Sequence, residues 1–212
     1  MRCIAAFSVL LNQLSVGGCV KKRMLKDQRR EQLLEVACEI VREAGTDALT
    51  LNTLAQRAGV TKPLTYRHFA TRQGLLAQMY RHYDNLFVEA VKQAAAEQKA
   101  SLAELCTLVC RAYLDCAVRC GPEYEAIVAA LRGYPEYQNI TTDIRDFFTD
   151  FYSELFADYL KLAAPQSKLL CWAIHGAINE VANAVACGHA QPQEATTRLS
   201  QLLQRMLGAD GC

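Results

Sequence analysis

From Arg29 onward, apolar residues recur at helical spacing almost without interruption. Leu33, Leu34, Ala37, Cys38, Ile40, Val41 and Ala44 mark one face of a first helix, and Gly45 is placed to end it. Thr50 is set to cap a short helix over Leu51–Ala58, Gly59 to make a turn, and Thr61 to cap a third helix over Lys62–Phe69. Pro63 falls in the first turn of that third helix, where its missing N–H costs nothing. Thr71 opens a long helix to about Lys99, and Ser101-Leu-Ala-Glu104 reads as a capping box opening a fifth that stops at Gly121-Pro122. The pattern then predicts helices over 123–132 and 141–163, from Pro165 to near Gly188, and from Pro192 to Gly208. No segment alternates with period two, so no sheet is predicted and the fold class is all-α.

Charge changes the picture. The chain's formal net charge is only +1. Residues 1–82 nevertheless hold 13 Lys and Arg against 6 Asp and Glu, a net +7, and residues 83–212 hold 10 against 16, a net −6. Between Asp47 and Asp84 there is no carboxylate, while Arg57, Lys62, Arg67, Arg72 and Arg81 are all basic. An acid-free basic stretch is what a surface meeting phosphate requires; a solvated helix face is the competing reading. Three short helices with a tight glycine turn between the second and third describe a helix-turn-helix, whose last helix must be short, exposed and free of acids to enter a major groove. The sequence offers no Ser/His/Asp arrangement, paired carboxylates, phosphate loop or metal spacing, so an enzyme is not expected and neither is a cofactor.

Over about residues 27–87 the chain resembles the tetracycline-repressor (TetR) family of bacterial transcriptional regulators. The residues carrying the resemblance are Leu54-Ala55, Ala58-Gly59-Val60, Lys62-Pro63, Tyr66-Arg67-His68-Phe69, Arg72 and Leu75-Leu76. Pro63 and Thr65 depart from the commonest family pattern, which bears on base reading and not on the motif. The resemblance implies an N-terminal three-helix DNA-binding domain over 24–87 and a larger helical ligand-binding and dimerisation domain over 88–212. It implies that Thr50 and Thr61 cap the motif helices and offer groups to phosphate, that Tyr66 and His68 meet the backbone, and that Arg72 is a further phosphate clamp. It places Lys62, Leu64, Thr65 and Arg67 at or near the groove face, with Arg67 able to pair with guanine, Leu64 to touch a thymine methyl, and Asn52 to reach base or phosphate. Phe69 is expected in the core. The implied partners are double-stranded operator DNA, a second copy joined through about 166–207, and a small-molecule inducer, with a repressor the commonest case and the cytoplasm the expected compartment.

Beyond residue 87 the resemblance is architectural. The helix from Pro165 is apolar over more than one face and must be covered on several sides. Tyr113, Tyr124, Phe148, Tyr152, Trp172, His175 and Asn179 are the candidate ligand-binding residues, and an ordinary core with satisfied hydroxyls is the competing reading. The ten cysteines include pairs four apart, Cys106/Cys110 and Cys116/Cys120, which keep a thiol switch on the same DNA reader open against plain core packing. Residues 1–23 are expected to be an extension ahead of a start at Met24; one charge and a broken apolar core make a poor signal peptide. No apolar run reaches the roughly 18–20 residues of a spanning helix, so no membrane partner is expected.

Overall fold

A computed structural model describes residues 26–98 and 100–208. Expectations for residues 1–23, Cys3, Cys19 and the start at Met24 lie outside the described residues. Within them the secondary structure is helical: α1 Lys26–Ala44, α2 Leu51–Arg57, α3 Lys62–Phe69, α4 Arg72–Gln98, α5 Leu102–Arg132, α6 Ile140–Leu155, α7 Ala164–Ala186 and α8 Pro192–Gly208. Short 3-10 turns at Thr46–Ala48 and Pro135–Tyr137 complete the set.

The chain forms two compact units. One takes the residues up to Leu86 together with Pro122–Gln138; the other takes Phe87–Gly121 and the chain from Asn139 onward. In the first, the predicted stripe of α1 is buried from Leu33 to Val41, with Leu33 and Ala37 wholly inaccessible, whereas Ala44 at its end is exposed; Leu54, Phe69, Leu75 and Leu76 join the core. In the second, α6, α7 and α8 pack with the end of α4 and the start of α5 around Phe148, Tyr152, Ile174, Ile178 and Leu203.

Two helix boundaries differ from expectation. The fifth helix does not stop at Gly121-Pro122: α5 runs through Pro122 to Arg132. An interior proline removes one helical hydrogen bond and costs about 3 kcal/mol. The carbonyl that loses its donor belongs to Val118, which is half exposed, so water can reach it. Beyond the proline, burial of Ile127, Val128 and Leu131 holds the segment helical. The helix expected over 141–163 ends instead at Leu155. Phe156 caps it and is fully buried, and the amides of Tyr159 and Leu160 turn back onto its carbonyl, closing the chain into turns.

Candidate nucleic-acid interface and effector region

The helix-turn-helix is set by local hydrogen bonds. Thr50 caps α2 through a reciprocal box with Thr53: Thr53 N donates to Thr50 Oγ1 at 3.0 Å, and Thr50 N to Thr53 Oγ1 at 2.9 Å. At the other end, Val60 N donates to Ala55 O and Gly59 N to Gln56 O, the paired closure of a Schellman turn. Gly59 takes φ +63°, which a side chain rarely adopts. Thr61 then occupies the cap position of α3 without a side-chain cap hydrogen bond, leaving its hydroxyl exposed.

α3 has eight residues, about 12 Å of helix, close to the width of a major groove. Its inner face is Thr65 and Phe69, both buried. Its outer face shows Lys62, Tyr66 and Arg67, with Tyr66 49% exposed. Asn52 on α2 is exposed too, whereas Leu64 and His68 are half-buried at the flanks. Two expected contacts are displaced from this surface. Thr65 has no exposed surface, and its hydroxyl donates to Leu51 O at 3.0 Å and Lys62 O at 2.9 Å, so it ties α3 to α2 and reads no base. Arg72 turns inward. Its guanidinium donates to Leu49 O, Thr46 O and the Tyr134 hydroxyl at 2.9, 2.6 and 3.1 Å, fixing the loop ahead of α2 where a phosphate clamp was expected. Arg57 is likewise engaged, 2.7 Å from Glu43.

The fold supplies cations that pattern reading did not single out. His68 is held below its ordinary range by partial burial first, then by Arg67, Lys26, Arg30 and Arg29. Lys26, Arg29 and Arg30 at the start of α1 are thus near enough to act on His68 at the end of α3, and they add to the positive field of Arg67 there. The signal was present as a basic cluster ahead of the first apolar stripe; only the packing of α1 shows where it lands. Gly74 was also missed. A side chain there would collide with the carbonyl of Phe69, so glycine lets the first turn of α4 approach the end of α3, where Ala70 takes φ 58°.

The expected ligand residues divide between the units. Tyr124 belongs to the first, where its hydroxyl donates to Asp84 Oδ1 at 3.0 Å. Tyr113, Phe148, Tyr152, Trp172, His175 and Asn179 belong to the second. There Phe148 stacks on His175 at 5.2 Å and meets Tyr113 edge-on at 5.7 Å, and the Tyr113 hydroxyl donates to Asn179 Oδ1 at 3.2 Å. Burial, then Arg145, pushes His175 down to about 4, so it is neutral at pH 7.

The Cys106/Cys110 pair sits in a poor setting for a switch, whereas Cys116 of the second pair is half-buried. Cys106 and Cys110 have no exposed surface; burial pushes the Cys106 thiol up to about 12 and Cys110 higher still. A thiol so displaced holds almost no thiolate, the reactive form. Among the described residues no group of three or more His, Cys, Asp or Glu is placed to hold a metal ion, and no helix is long and apolar enough to cross a membrane.

α7 and α8 leave apolar surface uncovered, with Leu169 59% and Leu202 45% exposed. A concavity of about 550 Å³ lies between them, lined by Val181, Ala184, Leu199 and Leu202 among others.

Residues 33–79 match the family described as bacterial regulatory proteins, tetR family. The chain is 45% identical over 73 residues to the HTH-type transcriptional activator FasR of Mycolicibacterium smegmatis, a match covering 34% of this chain and 33% of that protein. It is 29% identical over 92 residues to the HTH-type transcriptional regulator BetI of Burkholderia mallei, covering 43% of this chain and 47% of that one. The matched stretch thus spans between a third and a half of the length of these relatives. A TetR-like transcriptional regulator from Rhodococcus sp. RHA1 shares the fold over 90% of this chain and all of that one, with a TM-score of 0.59 and 20% identity. Residues 33–79 thus carry the helix-turn-helix of the tetR family of bacterial regulatory proteins, set in an all-helical fold that the chain shares with TetR-like regulators.

Proposed function

We propose that the chain is a homodimeric, sequence-specific regulator of transcription that binds double-stranded operator DNA and is released from it by a small molecule. The observation that carries this reading is the outer face of α3, where Lys62, Tyr66 and Arg67 stand exposed on a helix without acids. The reader expected over 24–87 takes in Pro122–Gln138, which packs in the same unit, and the rest of 88–212 serves as the effector and dimerisation domain. Asn52, Lys62, Leu64 and Arg67 face the bases; Tyr66, His68, Thr61 and the cap of α2 at Thr50 meet the backbone; Thr65 and Arg72 position the motif. The exposed apolar surface of α7 and α8, over about 166–207, supports pairing with a second copy, which sets two readers on a near-palindromic site at the spacing of helical turns. The aromatic cluster around Phe148 and His175 supports an effector site. FasR is named an activator; for this chain we propose repression, acting in the cytoplasm.

Selection of bound fragments from random double-stranded DNA tests the reading. A two-fold-related consensus, with Arg67→Ala relaxing one position in each half-site, is the expected result. Binding without sequence preference, or none, refutes it.

A further inference from the structure

The seam between α6 and α7 carries polar groups that packing leaves unused. On α7, Lys168, Trp172, His175 and Asn179 recur at i, i+4, i+7 and i+11, along one side of a mostly apolar helix. On α6, Arg145, Phe148 and Tyr152 recur at i, i+3 and i+7. Asn179 is engaged by Tyr113. Tyr152, with no exposed surface, has no hydrogen-bond partner for its hydroxyl, and the buried Nδ1 of His175 has none either. Native interiors rarely leave such groups unmatched, because each forfeits its bond to water without replacement.

The outer end of the seam is cationic. The Arg145 guanidinium lies 4.5 Å from the centre of the Trp172 ring and Lys168 Nζ 5.5 Å from it. Arg145 is paired with Asp146, which is 44% exposed; Lys168 lies near enough to add to Arg145 in holding that carboxyl down. Two cations beside one solvated carboxylate leave about one positive charge, suited to a monoanion that replaces Asp146 on Arg145. Further in, the rings lie nearly parallel on one another: His175 and Phe148 stack at 14° and Phe148 and Tyr152 at 29°. From Lys168 to His175 the helix rises about 10 Å, the span of one ring with a short acid arm and its hydrogen bonds at either end.

We infer that this seam takes a single-ring aromatic carboxylate bearing a hydroxyl at the end remote from its acid group. The carboxylate sits on Arg145 and Lys168, the ring replaces His175 against Phe148, and the hydroxyl meets the Tyr152 hydroxyl and His175 Nδ1. This rests on the reading of an effector-controlled regulator and names the class of its effector.

The test uses the full chain with 3-(4-hydroxyphenyl)propionate, its methyl ester and 3-phenylpropionate, titrated by calorimetry. Trp172 is the only tryptophan, so its emission, excited where phenols do not absorb, reports on the mouth of the seam. The hydroxylated acid is expected to bind and to shift that emission, with the ester about tenfold or more weaker. Arg145→Gln and Lys168→Gln are each expected to weaken the acid by about tenfold. Tyr152→Phe, which removes an unpartnered hydroxyl, is expected to leave thermal stability intact while erasing the preference for the hydroxylated acid over 3-phenylpropionate. Equal binding of acid and ester, unchanged affinity in Arg145→Gln, or no binding with emission unmoved overturns the inference. DNA binding by the same preparation is measured separately: if it persists, only the effector class has failed, and if it is absent, the regulator reading has failed.

Discussion

Asp84 gives a quantitative test of the reader's packing. It sits on α4 with 5% of its surface exposed, and the Tyr124 hydroxyl donates a hydrogen bond to it. Burial pushes its carboxyl up to about 7, against the smaller downward pull of that hydrogen bond. Beside it, the Tyr83 hydroxyl donates to Glu123 Oε2 at 3.0 Å and Arg42 Nε to Glu123 Oε1 at 2.7 Å, so the carboxylate one residue before Tyr124 is already engaged. The folded protein therefore holds a proton on Asp84 that the unfolded chain releases near pH 4. Stability from this group is fully present below the unfolded value, falls as pH rises through about 7, and is flat above.

The full span is about 3 pK units, roughly 4 kcal/mol, and between pH 5 and 8.5 it amounts to about 2.5 kcal/mol. Asp84→Asn keeps an oxygen for Tyr124 and removes the titration. Other groups titrate as well: His175 and His82 are held low by burial and weaken the fold toward acid. The difference between variant and parent isolates Asp84. Urea unfolding at pH 5, 6, 7 and 8.5, at one fixed protein concentration, measures it. The variant is expected to gain on the parent by about 2.5 kcal/mol across that range, roughly a 1 M shift in midpoint at an m-value near 2–3 kcal/mol/M. A difference that stays constant with pH, or shrinks as pH rises, refutes the reasoning.

Replacing Lys26, Arg29 and Arg30 with Ala should weaken binding to all DNA alike and lower the slope of log K against log salt by up to about 3, as fluorescence anisotropy will show. Arg72→Ala, which abandons the carbonyls of Thr46 and Leu49, should lower the unfolding free energy by about 2–3 kcal/mol while the salt slope of the folded variant is unchanged. Gly74→Ala gains about 1 kcal/mol of helix propensity but drives a Cβ onto the Phe69 carbonyl; net destabilisation of about 1–2 kcal/mol is expected in chemical unfolding. Cys106→Ala and Cys110→Ala should leave DNA affinity after peroxide treatment equal to that of the treated parent, since these thiols lie buried and protonated.

Helices were legible because their apolar periodicity is a local property. The capping signals at Thr50, Ser101 and Thr71 held for the same reason: each bonds within four residues of itself. Pro122 was misread because the contacts that keep α5 helical beyond it come from α1 and α4, through Arg42, Tyr83 and Asp84. Thr65 was misread for a related reason. A polar residue on a short helix reads as outward, yet its hydroxyl is satisfied by Leu51 O, fourteen positions away, and that partner has no signature in spacing. Tyr113 and Tyr124 look alike in composition and serve different units.

The basic stretch shows how charge and availability part company. Of the five cations between Asp47 and Asp84, Arg57 is held by Glu43, Arg72 by backbone carbonyls, and Arg81 lies against Tyr80. Only Lys62 and Arg67 stand on the exposed face of α3. The absence of acids therefore matters more than the number of bases: it leaves no carboxylate on α3 to oppose phosphate, while the compensating cations arrive from α1. A basic count over the motif overstates the contacts the motif itself can make. A reader with two free cations on its recognition helix and three on the neighbouring helix should draw much of its affinity from α1 and most of its specificity from α3. The α1 substitutions and Arg67→Ala are therefore expected to separate, the first changing the salt slope without changing the preferred sequence and the second changing the sequence with little effect on the slope.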